Sequence, residues 1–336
     1  MSTIKDVAKI AEVSIATVSR VVNNGPKVGE KTRNKVLKVM ADIGYKPNAN
    51  ARALVTQKNT TIGVVIPDLT DPFFASLANG VEKIARQNNM QLLLSTGQVS
   101  ADSERRAINL LLERQCDAFV VHSKKLADEE LISLAQQAPG LILIDRFIEA
   151  IQHRCVWLDN FEGGGIAARH LLSLQHTQLA CVTSHYSIDD PSLRLQGFSA
   201  ELARQDKQMV PELIVDAEPN QQGGELATQK LLSKHIPFSA VFVYNDAMAI
   251  GVISALEDNG FRVPQDVSVI GFDDVLLSRY SRPKLTTLHY PIEEMAEKAA
   301  QLALANCEQV SIHQSSETFK YLPRLVKRES TSALSL

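Results

Sequence analysis

The sequence predicts a small all-α head followed by a larger α/β body with parallel sheets. Apolar residues recur at helical spacing over the first 45 residues, whereas from residue 61 short apolar runs alternate with amphipathic stretches. The charge divides near the same place: residues 1–58 hold 11 Lys/Arg against 4 Asp/Glu (+7), and the remainder holds 24 against 34 (−10). A basic head on an acidic body indicates a polyanionic partner for the head alone.

Three short helices are predicted in the head. Thr3-x-x-Asp6 has the form of a capping box, Ser14 is a favourable N-cap, and Gly44 suits the end of the third helix, where Pro47 follows. We expect Val36, Leu37, Met40 and Ile43 of that helix to face inward. The predicted helices are Ile4–Ala11, Ile15–Asn23 and about Lys31–Ile43.

The body reads as strands that alternate with helices, a pattern typical of parallel sheets covered on both faces. Ten or more strands over about 275 residues exceed one core, so two α/β subdomains are expected. The domain prediction is a head at 1–47, a connecting segment at 48–60, a body at 61–330 and a tail at 331–336. The predicted strands are Ile62–Ile66, Gln91–Ser95, Ala118–His122, Leu141–Asp145, Cys155–Leu158, Leu179–Thr183, Leu213–Val215, Ala240–Tyr244, Val267–Phe272, Thr287–Tyr290 and Phe319–Leu322.

Composition excludes several classes of protein. No apolar run approaches the roughly 18 residues of a membrane helix, and the N-terminal residues lack the apolar stretch of a signal peptide. We therefore expect a cytoplasmic protein without a membrane partner. The four cysteines form no Cys-x-x-Cys pair and the eight histidines show no metal-ligand spacing. Neither a metal site nor a cofactor is predicted.

The first two helices, joined by a tight turn, fit a helix-turn-helix whose second helix enters the DNA major groove. With Val18, Val21 and Val22 packed inward, the polar face of that helix is free to contact DNA. Arg20 can donate two hydrogen bonds to guanine, and Ile15 with Ala16 can meet a thymine methyl group. The candidate DNA contacts in the head are Ser14, Ile15, Ala16, Thr17, Ser19, Arg20, Asn23 and Lys27.

The chain closely resembles the lactose-repressor-type family of bacterial regulators, over essentially its whole length. In the head, the resemblance lies in Ile4-Lys5-Asp6-Val7-Ala8, Thr17 to Asn23 and Gly44-Tyr45-Lys46-Pro47-Asn48. In the body it lies in Asp71-Pro72-Phe73-Phe74, Tyr244-Asn245-Asp246 and Gly271-Phe272-Asp273-Asp274. Within the family, the stretches 48–54, 191–197 and 276–283 are most similar to the galactose repressor and isorepressor subgroup.

The resemblance implies a homodimer that binds a near-palindromic operator. It also implies that residues 48–56 form a hinge helix on DNA, that Asn48 and Ala51 lie at the minor groove, and that Leu54 wedges into the central base step. Two positions depart from the family pattern. Glu12 stands where a glycine is usual in the turn, and Gly29 stands where a serine or alanine is usual near the start of the third helix. If position 12 requires a positive φ, Glu12 destabilises the head by on the order of 1 kcal/mol.

The body resembles a two-lobed periplasmic sugar-binding protein, in which a ligand lies between the lobes. The resemblance implies chain crossings between lobes near residues 159, 288 and 318. Polar and aromatic residues follow the predicted strands, at the edge where ligands of open α/β sheets bind. Carboxylates accept hydrogen bonds from sugar hydroxyls, and aromatic rings cover C–H faces. The candidate effector residues are Asp71, Phe73, Phe74, Asp145, Asp159, Arg194, Asn245, Asp273 and Tyr290.

The expected function is repression of genes for a galactose-like sugar, with operator binding weakened by that small sugar. Several alternatives remain. The Asp and Asn residues after strands also suit helix N-caps. The run Gly163 to Ala168 matches the dinucleotide fingerprint G-x-G-x-x-A, although no acidic residue ends the next strand, Leu179–Thr183. The effector could instead be a nucleoside or sugar phosphate, a hypothesis weakened because no basic cluster is expected to line the proposed pocket.

Overall fold

The computed structural model describes residues 2–23, 25–46, 60–307 and 318–334. The chain forms two compact units, Met1–Thr60 and Thr61–Leu336. Most of the predicted hinge, including Asn48, Ala51 and Leu54, lies outside the described residues. Within the described residues, no helix is both long enough and apolar enough to cross a membrane.

The head contains the three expected helices, α1 (Ile4–Ile10), α2 (Ile15–Val22) and α3 (Glu30–Asp42). The Thr3–Asp6 capping box is formed at the start of α1, and the Ser14 side chain accepts from Thr17 N at the start of α2. These caps satisfy backbone donors that a helix cannot satisfy internally. The fully buried core of the head consists of Val7, Ala8, Ala11, Val18, Val21 and Val36.

Two details of the head concern particular residues. Glu12 has φ 54°, so the turn between α1 and α2 places a non-glycine residue in the left-handed region. Leu37 was expected to face inward, but its side chain is 47% exposed. Val36 is buried and Met40 and Ile43 pack against the same core. Leu37 follows Val36 by 100° around the helix and therefore points off that face.

The body contains two six-stranded sheets. The first has the order β11-β5-β4-β3-β1-β2 and is parallel throughout. Its strands are β1 (Thr61–Ile66), β2 (Gln91–Thr96), β3 (Ala118–Val121), β4 (Leu141–Ile144), β5 (Cys155–Leu158) and β11 (Phe319–Tyr321). The second has the order β12-β10-β9-β8-β6-β7. Its strands are β6 (Leu179–Ser184), β7 (Ile214–Ala217), β8 (Ala240–Val243), β9 (Ser268–Asp273), β10 (Thr286–His289) and β12 (Arg324–Val326).

Helices cover the sheets, as the strand composition predicted. Lobe 1 comprises the first sheet with α4 (Pro72–Gln87), α5 (Ala101–Glu113), α6 (Asp128–Gln137) and α11 (Ile292–Cys307). Lobe 2 comprises the second sheet with α7 (Asn160–Ser173), α8 (Asp189–Ala203), α9 (Gln221–Ser233) and α10 (Asp246–Asp258). The inner strands of both sheets are almost entirely buried, whereas β2, β11 and β12 are only partly buried, and Cys116, Cys155 and Cys181 are buried thiols within this framework.

Within the part of the body that the structure describes, the chain crosses between the lobes three times. It passes from β5 to α7 at Asp159, from β10 to α11 around Tyr290, and from β11 to β12 at residues 322–323. The third crossing lies a few residues beyond position 318, because Phe319–Tyr321 first pairs with β5 of lobe 1. The strand β12, which pairs antiparallel with β10, was not expected from the sequence.

The described part of the C-terminal tail belongs to lobe 2 rather than standing apart from it. Thr331 Oγ1 lies 3.0 Å from His170 Nε2, and Ser332 O lies 2.9 Å from His176 Nε2. The Leu334 amide donates to Leu174 O at 2.9 Å. A boundary at residue 330 would therefore cut through a hydrogen-bonded segment.

Candidate functional site

The exposed face of α2 carries the residues that the sequence assigned to DNA. Ser14, Ile15, Ala16 and Arg20 are exposed, and Ile15 retains 46% of its accessible surface. Thr17, Ser19 and Asn23 are half-buried, whereas Lys27, in the loop that follows, is exposed. An apolar side chain exposed at a helix N-terminus beside a basic residue suits contact with base edges in a groove.

Arg33 of α3 positions α2, a role that sequence reasoning did not assign. Its Nη2 donates to Gly25 O at 3.0 Å and its Nη1 donates to Val21 O at 3.5 Å. Carbonyl groups at a helix C-terminus lack intrahelical donors, so a cation there satisfies them. Arg33 thereby fixes the end of α2 to α3.

In the body, a cleft opens between the two lobes at the carboxyl ends of their strands. Eight of the nine candidate effector residues line it, and Asp159 is the exception. The side chains that line it also include several that the sequence analysis did not assign to the effector, among them His122 and Tyr244, which end predicted strands. These additional residues are Pro67, Val99, His122, Lys124, Tyr186, Ile188, Asp190, Pro219 and Tyr244.

Asp145 lies at the centre of the cleft wall in lobe 1. Its Oδ1 accepts from the Tyr290 hydroxyl, and its Oδ2 lies 2.8 Å from Lys124 Nζ and 3.3 Å from His122 Nε2. Burial would raise the pKa of Asp145, but Lys124 and His122 lower it below the usual value. Asp145 is therefore ionised, and both of its oxygens already contact protein donors.

The polar network continues into lobe 2. Lys124 Nζ also lies 2.8 Å from Asp190 Oδ2, and Asn160 Nδ2 lies 3.4 Å from Asp190 Oδ1. Arg194 Nε donates to Asn160 Oδ1 at 2.8 Å. Burial raises the pKa of Asp190 more than Lys124 lowers it. A continuous chain of polar contacts therefore spans the cleft from one lobe to the other.

Arg194 is held on three sides in lobe 2. Its Nη1 donates to Tyr244 O at 2.6 Å and lies 3.7 Å from Asp273 Oδ1. Its guanidinium carbon lies 3.6 Å from the centre of the Phe272 ring. Burial raises the pKa of Asp273 well above its usual value, despite the proximity of Arg194. The pair presents a donor and a carboxyl group side by side to the cleft.

An aromatic wall faces these polar groups. Phe73 packs edge-on against Tyr290 with ring centroids 4.8 Å apart, and Phe74 packs edge-on against His122 at 5.2 Å. Asp71 caps α4 through its Oδ1, which accepts from Phe73 N at 2.9 Å. Burial raises the pKa of Asp71. Its Oδ1 serves the helix, and the carboxyl group lines the cleft.

The backbone is also unusual at two of these positions. Asp145 has φ 57° and Asp273 has φ 106°, both in the region that favours glycine. Such conformations destabilise the chain by on the order of 1 kcal/mol each and cluster at binding sites. Two aspartates in this conformation, one on each lobe, indicate that their side chains have a binding role in the cleft.

Helix capping, the alternative role for the Asp and Asn residues that follow strands, is observed both for a residue that lines the cleft and for one that does not. Asn245 caps α10 through Met248 N and donates to Pro219 O at 3.0 Å, although it also lines the cleft. Asp159 caps α7 and pairs with Lys320 Nζ at 2.5 Å, outside the cleft lining. Asp159 instead lines a neighbouring cavity that shares Lys124, Asp145 and Asp190 with the cleft, and its role as an effector ligand stays a prediction.

Two further carboxylates near the cleft are structural. Asp246 is fully buried, and it accepts from Thr287 Oγ1 at 2.5 Å and from Val275 N at 2.9 Å. Asp274 pairs with His289 Nδ1 at 3.0 Å and with Arg328. Asp273 and Asp274 thus point to opposite sides, as adjacent residues at a strand end do.

The charge balance of the cleft corrects one expectation. Lys124, Arg194 and His122 do line it, so basic groups are present. Four carboxyl groups line it as well, those of Asp71, Asp145, Asp190 and Asp273. Both permanent cations already pair with these carboxyl groups, so neither is left free for an anion.

The glycine run that resembles a dinucleotide fingerprint serves helix packing. A Cβ on Gly164 would lie 1.9 Å from Arg194 O, and a Cβ on Gly197 would lie 1.8 Å from Phe161 O. The backbones of α7 and α8 therefore approach more closely than any side chain permits. This contact explains the glycines without a bound cofactor.

Both the head and the body of the chain match families of known proteins. Residues 3–48 match the family model described as "Bacterial regulatory proteins, lacI family", and residues 168–331 match the model described as "Periplasmic binding protein-like domain". The HTH-type transcriptional regulator GalR of Escherichia coli K12 is 45% identical over 336 residues, which cover 100% of this chain and 97% of that protein.

Two further comparisons extend this agreement. The HTH-type transcriptional regulator GalS of Salmonella typhimurium LT2 is 42% identical, covering 99% of this chain and 97% of that protein. A crystal structure of the lac repressor dimer bound to operator and the anti-inducer ONPF superimposes with a TM-score of 0.87 at 26% identity, covering 99% of both chains. The chain belongs to the lacI family of bacterial regulatory proteins, which are transcriptional regulators and not enzymes.

Proposed function

We propose that the protein is a cytoplasmic repressor that binds a near-palindromic operator as a homodimer and is released by a small neutral sugar, galactose or a related hexose. The observation that carries the proposal is the cleft, in which hydrogen-bonding groups from both lobes face an aromatic wall. The same chain carries a helix whose exposed residues suit base contacts.

In the proposed DNA complex, α2 lies in the major groove. Arg20 donates to guanine, and Ile15 with Ala16 contacts a thymine methyl group. The residues proposed to fix register on the phosphates are Ser14, Thr17, Ser19, Asn23 and Lys27. The hinge contacts proposed for the minor groove are Asn48, Ala51 and Leu54, which lie outside the described residues.

A binding assay with paired variants tests the DNA proposal. We expect Arg20→Met to lose about 1–3 kcal/mol of affinity for an operator selected in vitro, and to lose discrimination at one base pair in each half-site. Lys27→Met should weaken binding to all sequences alike and reduce its salt dependence. Arg204→Met, an exposed position of the body, is the control. Unchanged sequence preference in Arg20→Met would contradict the assignment.

The sugar is proposed to lie between Phe73 and Phe74 on one side and Asp273 and Arg194 on the other. Aromatic rings suit the apolar C–H face of a hexose, and a carboxylate beside a guanidinium suits vicinal hydroxyls. Asp71 and Asn245 supply further acceptors at the rim. Asp145 already accepts from Tyr290, so a sugar hydroxyl must share or replace that donor.

The same charges argue for a neutral effector over a sugar phosphate or nucleotide. Both permanent cations of the cleft, Lys124 and Arg194, are already engaged with carboxyl groups of the protein. A dianion would have to displace these pairs and would lose solvation. A hexose loses much less.

Calorimetry with a panel of hexoses and hexose phosphates tests this part. We expect one hexose to bind, and Asp273→Asn to weaken its binding by about tenfold, since a buried polar group left without its hydrogen-bond partner costs roughly 1–3 kcal/mol. Asp258→Asn, at the exposed end of α10, is the matched control. Preference for a phosphorylated ligand, or failure of every hexose to bind, would overturn the proposal.

The homodimer has its own test. The relationship to the lac repressor dimer supports a dimer of this chain, and a dimer would match two-fold symmetry in the operator. Sedimentation equilibrium of the full chain should give twice the monomer mass at micromolar concentration. A monomer under those conditions would contradict this part of the proposal.

A further inference from the structure

A turn in lobe 1 reaches across the cleft and holds lobe 2. We propose that residues 123–126, termed the clasp, join the two lobes of the effector-free protein, and that buried Glu104 is the positioning residue of the clasp. The clasp sets the fraction of molecules whose cleft is closed before an effector arrives. This inference rests on the proposed function in that the cleft is the effector site.

Glu104 organises the clasp from beneath. Its side chain, on α5, is only 3% exposed. Its carboxylate accepts from Ser123 Oγ at 2.6 Å and from the backbone amides of Lys124 at 3.2 Å, Lys125 at 3.1 Å and Leu126 at 3.1 Å. Successive amides that converge on one anion form a compact nest, which fixes the course of the backbone. The clasp is therefore shaped before it touches lobe 2.

The side chains of both lysines of the clasp contact lobe 2. Lys124 Nζ lies 2.8 Å from Asp190 Oδ2, and Lys125 Nζ donates to Ser187 O at 2.8 Å. Both acceptors belong to the segment that leads from β6 into α8. Lys124 is buried, with 7% of its side chain exposed, whereas the Lys125 contact is exposed. Opening of the lobes must break both contacts.

A ligand that contacts both lobes binds only the closed form. Its apparent affinity falls in proportion to the closed fraction of the free protein. A clasp that favours closure therefore strengthens effector binding without touching the effector. Lys125 offers a clean test of this effect, because Lys124 lines the cleft and Lys125 does not.

The first experiment compares Lys125→Met with Lys234→Met, its matched control. Lys234 also donates to a backbone carbonyl, that of Glu212, but within lobe 2. In ligand-free protein, we expect faster deuterium uptake over residues 186–190 in Lys125→Met alone. Hexose affinity should fall about threefold in Lys125→Met, as for loss of one exposed charged contact. Lys234→Met should match the wild type in both measurements.

The second experiment asks whether Glu104 acts through the clasp. Glu104→Gln should raise uptake over residues 186–190 and weaken hexose binding by about tenfold, because loss of a buried charged acceptor frees several donors at once. The double variant Glu104→Gln/Lys125→Met should bind the hexose with the same affinity as Glu104→Gln. If Glu104→Gln already displaces the clasp, Lys125 no longer contacts lobe 2, and its substitution removes no further contact. Glu130→Gln, which breaks an ion pair with Arg105 inside lobe 1, is the control.

The outcomes separate this inference from the proposed function. If no hexose binds the wild type, the proposed function fails, and deuterium uptake in the ligand-free proteins alone decides for or against the clasp. Uptake over residues 186–190 that is equal in wild type, Lys125→Met and Glu104→Gln would overturn the clasp. Additive effects on hexose affinity in the double variant would overturn the positioning role of Glu104.

Discussion

The contact between α7 and α8 yields the sharpest prediction about stability. Gly164→Ala adds a Cβ 1.9 Å from Arg194 O and 2.8 Å from Phe198 N, both of which are backbone atoms. A normal carbon–oxygen contact requires a separation larger by more than 1 Å, so the two helices must move apart. Overpacking of this kind destabilises a core by about 1–3 kcal/mol or more, of which the better helix propensity of alanine returns about 0.5–1 kcal/mol.

Gly165→Ala is the control on the same helix. Its added Cβ would lie 3.3 Å from Arg169 Nη1, the end of a flexible side chain, and 3.8 Å from Gly197 O, an ordinary van der Waals separation. We therefore expect Gly164→Ala to lose about 2 kcal/mol in free energy of unfolding and Gly165→Ala to be neutral or slightly stabilised. Urea unfolding followed by circular dichroism measures both. Equal stability of the two variants would refute the packing explanation of the glycine run.

Three further predictions concern charge and caps. Burial raises the pKa of Asp246 to about 8, so between its pKa in the unfolded chain and about 8 the folded state holds a proton that the unfolded state releases. The wild type should therefore lose about 1.4 kcal/mol of stability per pH unit from pH 5 to 8 relative to Asp246→Asn. Urea unfolding curves of both proteins at pH 5 and pH 8 check this. Glu12→Gly should stabilise the head by about 1 kcal/mol, because Glu12 has φ 54° and its ion pair with Lys35 is exposed; an unchanged or lower melting temperature of the head would contradict this. Ser14→Ala should destabilise the head by about 1 kcal/mol through loss of the cap on α2, and an unaltered thermal transition would show that the cap is dispensable.

Much of the fold followed from local sequence. Strand and helix alternation, the caps at Thr3 and Ser14 and the glycine at the end of the third helix, Gly44, are set by neighbours within a few positions, so the sequence predicts them. The positive φ of Glu12 was suggested only by the glycine that is usual there in the family. The strand β12 was missed because three residues give no readable alternation, and its pairing with β10 is a tertiary contact.

The site was predictable only where a strand ends in a helix. Asp71 and Asp159 give the same local signal, an aspartate between a strand and a helix, and both are N-caps. Asp71 lines the cleft and Asp159 does not, because Asp159 lies where the chain crosses between the lobes and pairs with Lys320 of β11. Lys320 is 161 positions further along the chain, so local sequence does not show this pairing. Lys124 carries no motif, and its burial between carboxylates of two lobes depends on the packing of the lobes.

The central claim is that the head and the cleft are coupled in one molecule. The direct measurement is the affinity of the full chain for its operator, at fixed salt, with and without saturating galactose or another hexose. The account predicts that the sugar weakens operator binding by about 5–150-fold. It also predicts that Asp273→Asn raises the sugar concentration needed for half of this effect by about tenfold, whereas Asp258→Asn leaves that concentration unchanged. An operator affinity that no hexose changes would contradict the claim.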